Sequence, residues 1–384
     1  MGKSSSKSGK PKFEKEIVFK SKEGEVFKFP AIYYNDNDKT LFAFAEKRTS
    51  QEDSDVVALV MRKGKVNRKS EVKWSKPEEV VRKCSCGSRP INPCVVYEKH
   101  TQTLFLFFIY VNETRLWQIE HHENKARLCY ITKKKKDKKW CKFIEVTDLR
   151  RAFKNWSTFA IGPGHGIQTK SGRMIVPAYA FTKDKEPTPH AFCFYSDDCG
   201  KTWECEEMLP ETSMECEMTE IVDTTKGDSL IYCNARSLGG QRVQAAIDQT
   251  GFHTLTNVTP LKELQNGCQG SVISFPSLSA DEKPTQEVWV LFSHPTTQTS
   301  DWERFDLGVY LSIYLVRSVG HFNLAWSQPW VINKGPSGYS DLTYIEDGWF
   351  ACLMECGEKS ATDDIAYQVF SYDEALKGIA GFQT

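Results

Sequence analysis

The chain has 384 residues, enough for two ordinary domains or one large all-β unit. Its 50 basic side chains balance 50 acidic ones, which excludes a global field that would gather nucleic acid or a charged membrane. With 23 Phe, 14 Tyr and 10 Trp it can fill a substantial core, and a mainly disordered chain is excluded.

No apolar run follows Met1, so no secretory signal is expected. The start Met1-Gly2-Lys3-Ser4-Ser5-Ser6 instead fits N-myristoylation at Gly2, with Lys3, Lys7, Lys10 and Lys12 close by. One acyl chain holds a membrane only marginally, and a basic cluster can supply the second signal. The expectation is a flexible basic tail over 1–15, one domain over 16–384, and a cytoplasmic or peripheral-membrane protein. The most apolar run, Leu104 to Val111, is far short of the roughly 20 residues that span a bilayer. In a reducing compartment the 13 cysteines should be mostly free thiols. Cys84 and Cys86 lack a second matched pair, so neither zinc nor another metal is expected.

Beyond the tail, short β-branched and aromatic runs bounded by Gly, Pro, Asn or Asp predict strands, among them Thr103 to Ile109, Met174 to Tyr179 and Val288 to Phe292. Helix is expected only near Asp148–Lys154 and Asp373–Lys377. Trp74, Trp140, Trp203 and Trp326 sit at similar predicted strand starts, separated by 66, 63 and 123 residues. A unit of about 62 residues, used roughly six times, predicts propeller blades. The run Lys133-Lys-Lys-Lys-Asp-Lys-Lys139 is a hairpin tip that could touch anionic headgroups. Gly162-Pro-Gly-His-Gly166 lacks the lysine and Ser/Thr of a phosphate loop. Ser196-Asp-Asp198-Cys-Gly200-Lys-Thr202-Trp203 is sharper, because Gly200 suits a left-handed turn that Asp198 can bond across. It resembles the Asp box of sialidases, a structural element of that family.

Further stretches follow in order: Leu41 to Arg48, Asn92-Pro-Cys94, Phe159 to Gly166, Val176 to Ala180, Asn234-Ala-Arg236, Gly267 to Phe275, Gly338-Tyr-Ser-Asp-Leu342 and Cys352 to Cys356. From about Phe27 to Phe370 the chain is similar to the vertebrate cytosolic and plasma-membrane sialidases, most of all the plasma-membrane ganglioside type. The resemblance implies an all-β, six-bladed β-propeller with its site at the axis. It also implies a retaining exo-α-sialidase, without cofactor, that hydrolyses terminal sialic acid from gangliosides, glycoproteins or oligosaccharides.

The chemistry makes matching demands. Sialic acid carries a carboxylate on its anomeric carbon, and guanidinium forks hold such an anion bidentately. The resemblance gives this task to Arg236 and Arg304, but the family's Arg-Ile-Pro reads Lys28-Phe29-Pro30 here. Lysine keeps the charge and loses the fork. A carboxylate nucleophile would be repelled by the same anion, which favours a neutral phenol; Tyr339 matches it and Glu215 its base. If Glu215 faces the axis, Glu217 shares its face and Glu220 does not. Asp53 aligns with the family's loop acid, with Asp55 as the alternative, and Arg48 with a nearby carboxylate-site arginine. The resemblance adds Glu113 and Tyr179 as sugar contacts and Asn92 as floor. Glu355 resembles the carboxylate that orients the arginine at position 28 and could equally pair with the Lys28 ammonium. Phe181 stands where an aromatic hydroxyl is usual. The substitution at 28 leaves a second reading open, a sialic-acid-binding propeller with weak or no turnover.

Overall fold

Strand Thr103–Val111 shows why this sequence builds sheets: it is buried on both faces and must be covered on both. The computed structural model describes residues 15–66, 72–222, 229–248, 251–255, 258–278, 284–300, 302–316 and 322–379. The basic tail with Gly2 lies outside the described residues.

Six antiparallel four-stranded units follow one another, as expected for the propeller. The first runs through Val26–Asn35, Thr40–Arg48, Val56–Val66 and Val72–Trp74. The second uses Arg89–Glu98, Thr103–Val111, Arg127–Lys134 and Ile144–Glu145. The third uses Trp156–Ile161, Met174–Thr182, Pro189–Ser196 and Glu204–Cys205, and the fourth Cys216–Val222, Ser229–Ala235, Val243–Asp248 and Gly251–Thr254. The fifth contains Ser271–Leu278, Pro284–Gln298, Arg304–Val316 and Phe322–Trp326. In the sixth, Trp330–Tyr344, Trp349–Cys356 and Asp364–Ser371 take Glu16–Lys20 as their outer strand, so the start of the described chain completes the last unit. Trp330–Tyr344 also pairs with Arg304–Val316, joining units five and six.

The tryptophan repeat is real, but its placement differs from the expected strand starts. Trp74 and Trp326 end strands, while Trp140 and Trp203 lie in connections. What they share is packing: Trp74 meets Tyr367, Trp140 meets Phe44, Trp203 meets Phe107 and Trp326 meets Tyr232. Each is a plug against the preceding unit, so the spacing reports blade interfaces. In the Asp box, Asp198 Oδ1 accepts from the Lys201 and Thr202 amides at 3.0 and 2.9 Å, and Gly200 takes φ 82°.

At the axis, Asp341 Oδ2 accepts from the Ile32 amide at 2.6 Å and Oδ1 from His165 Nδ1 at 2.6 Å and Ser271 Oγ at 3.1 Å. Glu217, on the Glu215 face as expected, accepts from the Val272 amide at 3.1 Å; Glu220 faces away and accepts from Lys170. Burial first, then the charge of Asp341, pushes the Glu217 carboxyl well up, and this hub ties the inner strands together.

Short helices occupy Arg150–Phe153, within the expected Asp148–Lys154, Tyr372–Gly378, one residue beyond the expected Asp373–Lys377 at each end, and Arg115–Glu120, which sequence did not announce. Among the described residues no helix is long and apolar enough to cross a membrane. The cysteines are mostly free thiols, as expected, with one exception. A turn closed by the Cys84 amide on the Ser88 carbonyl brings Cys84 and Cys86 within 5.2 Å (Cα–Cα), and they form a disulfide; the other eleven cysteines are free.

Candidate active site

The residues assigned to nucleophile and base meet at the axis. Main-chain bonds pair Glu215 with Arg236 across a hairpin, the Arg236 amide donating to the Glu215 carbonyl at 2.9 Å. Tyr339 comes from the inner strand of the sixth unit. Its hydroxyl donates to Glu215 Oε1 at 2.8 Å, and Arg236 Nη1 donates to that hydroxyl at 3.1 Å and to both Glu215 oxygens at 3.2 Å. All three side chains are buried. Burial pulls the Glu215 carboxyl up, but the charges of Arg236 and Arg115 more than offset it and leave it below the usual range. Burial and the Glu215 charge push the Tyr339 phenol well up, against Arg236 and Arg304. The resting state is a neutral phenol hydrogen-bonded to an ionised base.

Arg236 spends Nε and Nη2 on the Asn266 carbonyl. Gly267 permits this approach: at φ 64° a Cβ there would meet Arg236 Cγ at 2.7 Å and the Ser237 carbonyl at 2.2 Å. The Gly267 carbonyl in turn accepts from Arg304 Nη2 at 2.6 Å. Arg304 Nε is buried and has no hydrogen-bond partner among the described residues. Tyr179 closes this side, its phenol raised to about 12 by burial and by Glu215.

The acid side is more open. Arg48, 1% exposed, spends Nε and Nη2 on Glu46 and Nη1 on Asp53 at 2.6 Å. The Asp53 side chain is itself exposed. Partial desolvation raises its carboxyl, while Arg48, Lys28 and Arg115 together hold it below the usual aspartate range. Asp55 bonds Ser50 and Ser54 in the turn and takes no part in this pair. The Lys28 ammonium has no hydrogen-bond or ion-pair partner among the described residues; it stands 5.8 Å from the Phe29 ring.

One assigned pairing differs from expectation, and two further assigned residues are held through their main chains. Glu355 does not hold Lys28: its Oε1 accepts from the Phe29 amide at 2.9 Å and its Oε2 from the Tyr339 amide at 3.0 Å. Gly338 allows this, since a Cβ there would meet Glu355 Oε2 at 2.4 Å. Glu113 is held through its carbonyl by Arg89 Nη2 at 2.8 Å. Asn92, at φ 57°, enters through its amide, which donates to Glu46 Oε1 at 2.7 Å.

Four residues were missed. Glu46 orients both Arg48 and Asn92, and its period-two spacing from Arg48 was a usable signal. Buried Arg89 holds the carbonyls of Asp53, Asn112 and Glu113 at 3.2, 2.8 and 2.8 Å, clamping two site loops. Arg115 stands near the Tyr179 hydroxyl, whose proximity raises its own basicity, and 6.0 Å from the Phe181 ring. Phe29 lies flat on Tyr339. Nothing in sequence spacing marks the last three.

His165, Glu217 and Asp341 could together offer ligand atoms to a metal. Their oxygens, however, already accept from the amides of Ile32 and Val272, and the group works as a structural tie.

Residues 39–352 match the family described as a BNR repeat-like domain. Sialidase-3 of Mus musculus is 36% identical over 397 residues, which span 92% of this chain and 93% of that protein. Sialidase-2 of Cricetulus griseus is 36% identical over 394 residues, spanning 97% of this chain and 99% of its own. Among solved structures, a Trypanosoma rangeli sialidase bound to 2,3-difluorosialic acid as a covalent intermediate is similar in fold, with a TM-score of 0.71 at 17% identity. That match covers 96% of this chain and 59% of the other.

Proposed function

Because the chain belongs to the vertebrate sialidase family and is a glycosidase that releases sialic acid from sialylated glycoconjugates, we propose that it does so with retention, through a covalent bond from Tyr339 to the anomeric carbon. The bonded trio of Tyr339, Glu215 and Arg236 carries this reading. Asp53 gives its proton to the glycosidic oxygen as that bond breaks. Tyr339 Oη attacks the anomeric carbon, and its proton passes to Glu215. Water, deprotonated by the Asp53 carboxylate, then displaces the phenol oxygen, which recovers its proton from Glu215. Arg304, Arg236 and Lys28 face the substrate carboxylate, and Lys28, with no hydrogen-bond or ion-pair partner among the described residues, is the cation left unpaired. Tyr179, Glu113 and Asn92 line or support the sugar site. This uses no metal or organic cofactor.

A lipid-linked sialoside is the substrate favoured here. Among the described residues the three most exposed large apolar side chains, Trp302, Leu116 and Leu238 at 66, 64 and 60%, each stand within two residues of a site arginine. They give a pocket for an anionic sugar an apolar rim. The Lys133–Lys139 run is at the opposite end of its blade, where Lys134 pairs with Thr103 and Arg127 with Tyr110 near the mouth. That run does not meet a membrane that faces the mouth. A single domain over 16–384, an acylated tail at Gly2, and a cytoplasmic or peripheral-membrane location complete the proposal. The test is sialic acid release, followed by NMR, from a ganglioside in neutral vesicles and from its free oligosaccharide. The α-anomer should appear first from both. Leu116→Ser/Leu238→Ser should slow only the vesicle reaction; equal slowing of both would remove the rim, and β-anomer first would remove the covalent step.

A further inference from the structure

The innermost strand of the first unit breaks register between Lys28 and Ala31, and Phe29 sits at φ 59°, where non-glycine residues are uncommon. This turn carries the ring out of the strand and onto the site. Its plane lies 6° from that of Tyr339, with centroids 4.8 Å apart. The Arg48 guanidinium carbon stands over the same ring at 4.8 Å. One carboxylate, Glu355, accepts the backbone amides of both stacked residues, at 2.9 and 3.0 Å. The strained backbone, the stack and the shared carboxylate form one device.

We infer that Phe29 is a positioning residue for the nucleophile, a plate that fixes the Tyr339 ring while Glu215 and Arg236 fix its oxygen. This rests on the reading of Tyr339 as nucleophile. A phenol held only at its hydroxyl can still pivot, and attack on carbon demands both distance and direction. A misplacement of about 1 Å can cost roughly 100-fold in rate. The plate also keeps water from one face of the phenol. It separates two tasks as well: Arg48 stays committed to Glu46 and Asp53, while the charges acting on Tyr339 are those of Glu215, Arg236 and Arg304. The family's Arg-Ile-Pro is thus changed twice here, to a smaller cation at 28 and a larger neighbour at 29. The aromatic plate strengthens the nucleophile side where the cation side is weakened.

The experiment is trapping by 2,3-difluorosialic acid, in which Tyr339 Oη bonds to the anomeric carbon, fluoride leaves and Glu215 takes the phenol proton. Full-length wild type, Phe29→Ile and Phe29→Tyr are compared by intact mass and peptide mapping, with kcat and KM from a fluorogenic sialoside. Phe29→Ile should form the Tyr339 adduct about tenfold more slowly and lose kcat with KM nearly unchanged. Phe29→Tyr, which keeps the plate, should recover both. Should Phe29→Ile fail to fold, Phe29→Leu takes its place. Trapping at the wild-type rate in the aliphatic variant overturns the inference while Tyr339 stands as nucleophile. A wild-type adduct on another residue overturns the nucleophile assignment, and the plate falls with it.

Discussion

The two sides of the active site are built to different standards. On the nucleophile side, Tyr339, Glu215 and Arg236 are buried and bonded to one another, and each pKa shift favours the resting protonation state that attack requires. On the acid side, Asp53 is exposed, its carboxyl is held low by three cations, and Lys28 has no hydrogen-bond or ion-pair partner among the described residues. A bond to carbon must form along one line, so the nucleophile needs preorganisation. A proton can reach the leaving oxygen from a looser acid, and that side carries the departure from Arg to Lys.

The largest effect should come from the organised side. Tyr339→Phe removes the attacking oxygen and leaves the plate, the arginines and the fold in place. Sialic acid release should fall by about 1,000-fold or more while binding of a sialoside inhibitor stays within a few-fold. A loss confined to tenfold would mean that Glu215 or water attacks directly, and the two sides would no longer divide into nucleophile and acid.

Next in size is the pH dependence, which reads the acid side. Asp53 must be protonated for the first step, yet its carboxyl lies below the usual range. Its protonated fraction therefore shrinks as pH rises, about tenfold per unit. Glu215, also held low, stays ionised as pH falls, so the base is not what limits acid conditions. For a sugar leaving group, kcat/KM should climb as pH drops from about 7 towards 5. A fluorogenic phenol, which leaves without much protonation, should show a shallower slope. Asp53→Asn should reduce sugar release strongly and phenol release weakly. Equal slopes for both substrates would make another group the acid.

The sequence carried the organised side well because that side is written in contiguous motifs. Asn234-Ala-Arg236 and Gly338-Tyr-Ser-Asp-Leu342 each place a side chain and the glycine or hairpin that aims it. The six units were legible through tryptophans at blade interfaces and one intact Asp box. What stayed hidden depends on contacts far apart in sequence. Glu355 reaches the amides of residues 29 and 339, and Arg89 clamps loops at 53 and 113; neither pairing follows from local spacing. The pairing of Glu355 with Lys28 failed for a physical reason: a buried carboxylate takes the amide donors beside it before a flexible ammonium that can stay in water.

The smallest expected effect tests whether the acid side can be rebuilt. Lys28→Arg restores a fork, and a full charge-assisted bond at the transition state would be worth about 1.5–3 kcal/mol, or about ten- to 150-fold. The gain should stay near the low end, tenfold or less in kcat/KM. Each oxygen of Glu355 already accepts from an amide, of Phe29 or of Tyr339, which holds this carboxylate in place and limits how far it can turn to align the new guanidinium. The Phe29 ring, standing where the family's Arg-Ile-Pro has the smaller isoleucine, also crowds position 28. Steady-state kinetics on a soluble sialoside decide the matter, with the change expected mainly in KM. A gain near 100-fold would show that lysine alone held the site back. A loss would show that the pocket has been refitted around lysine, and that the looseness of the acid side is itself an adaptation.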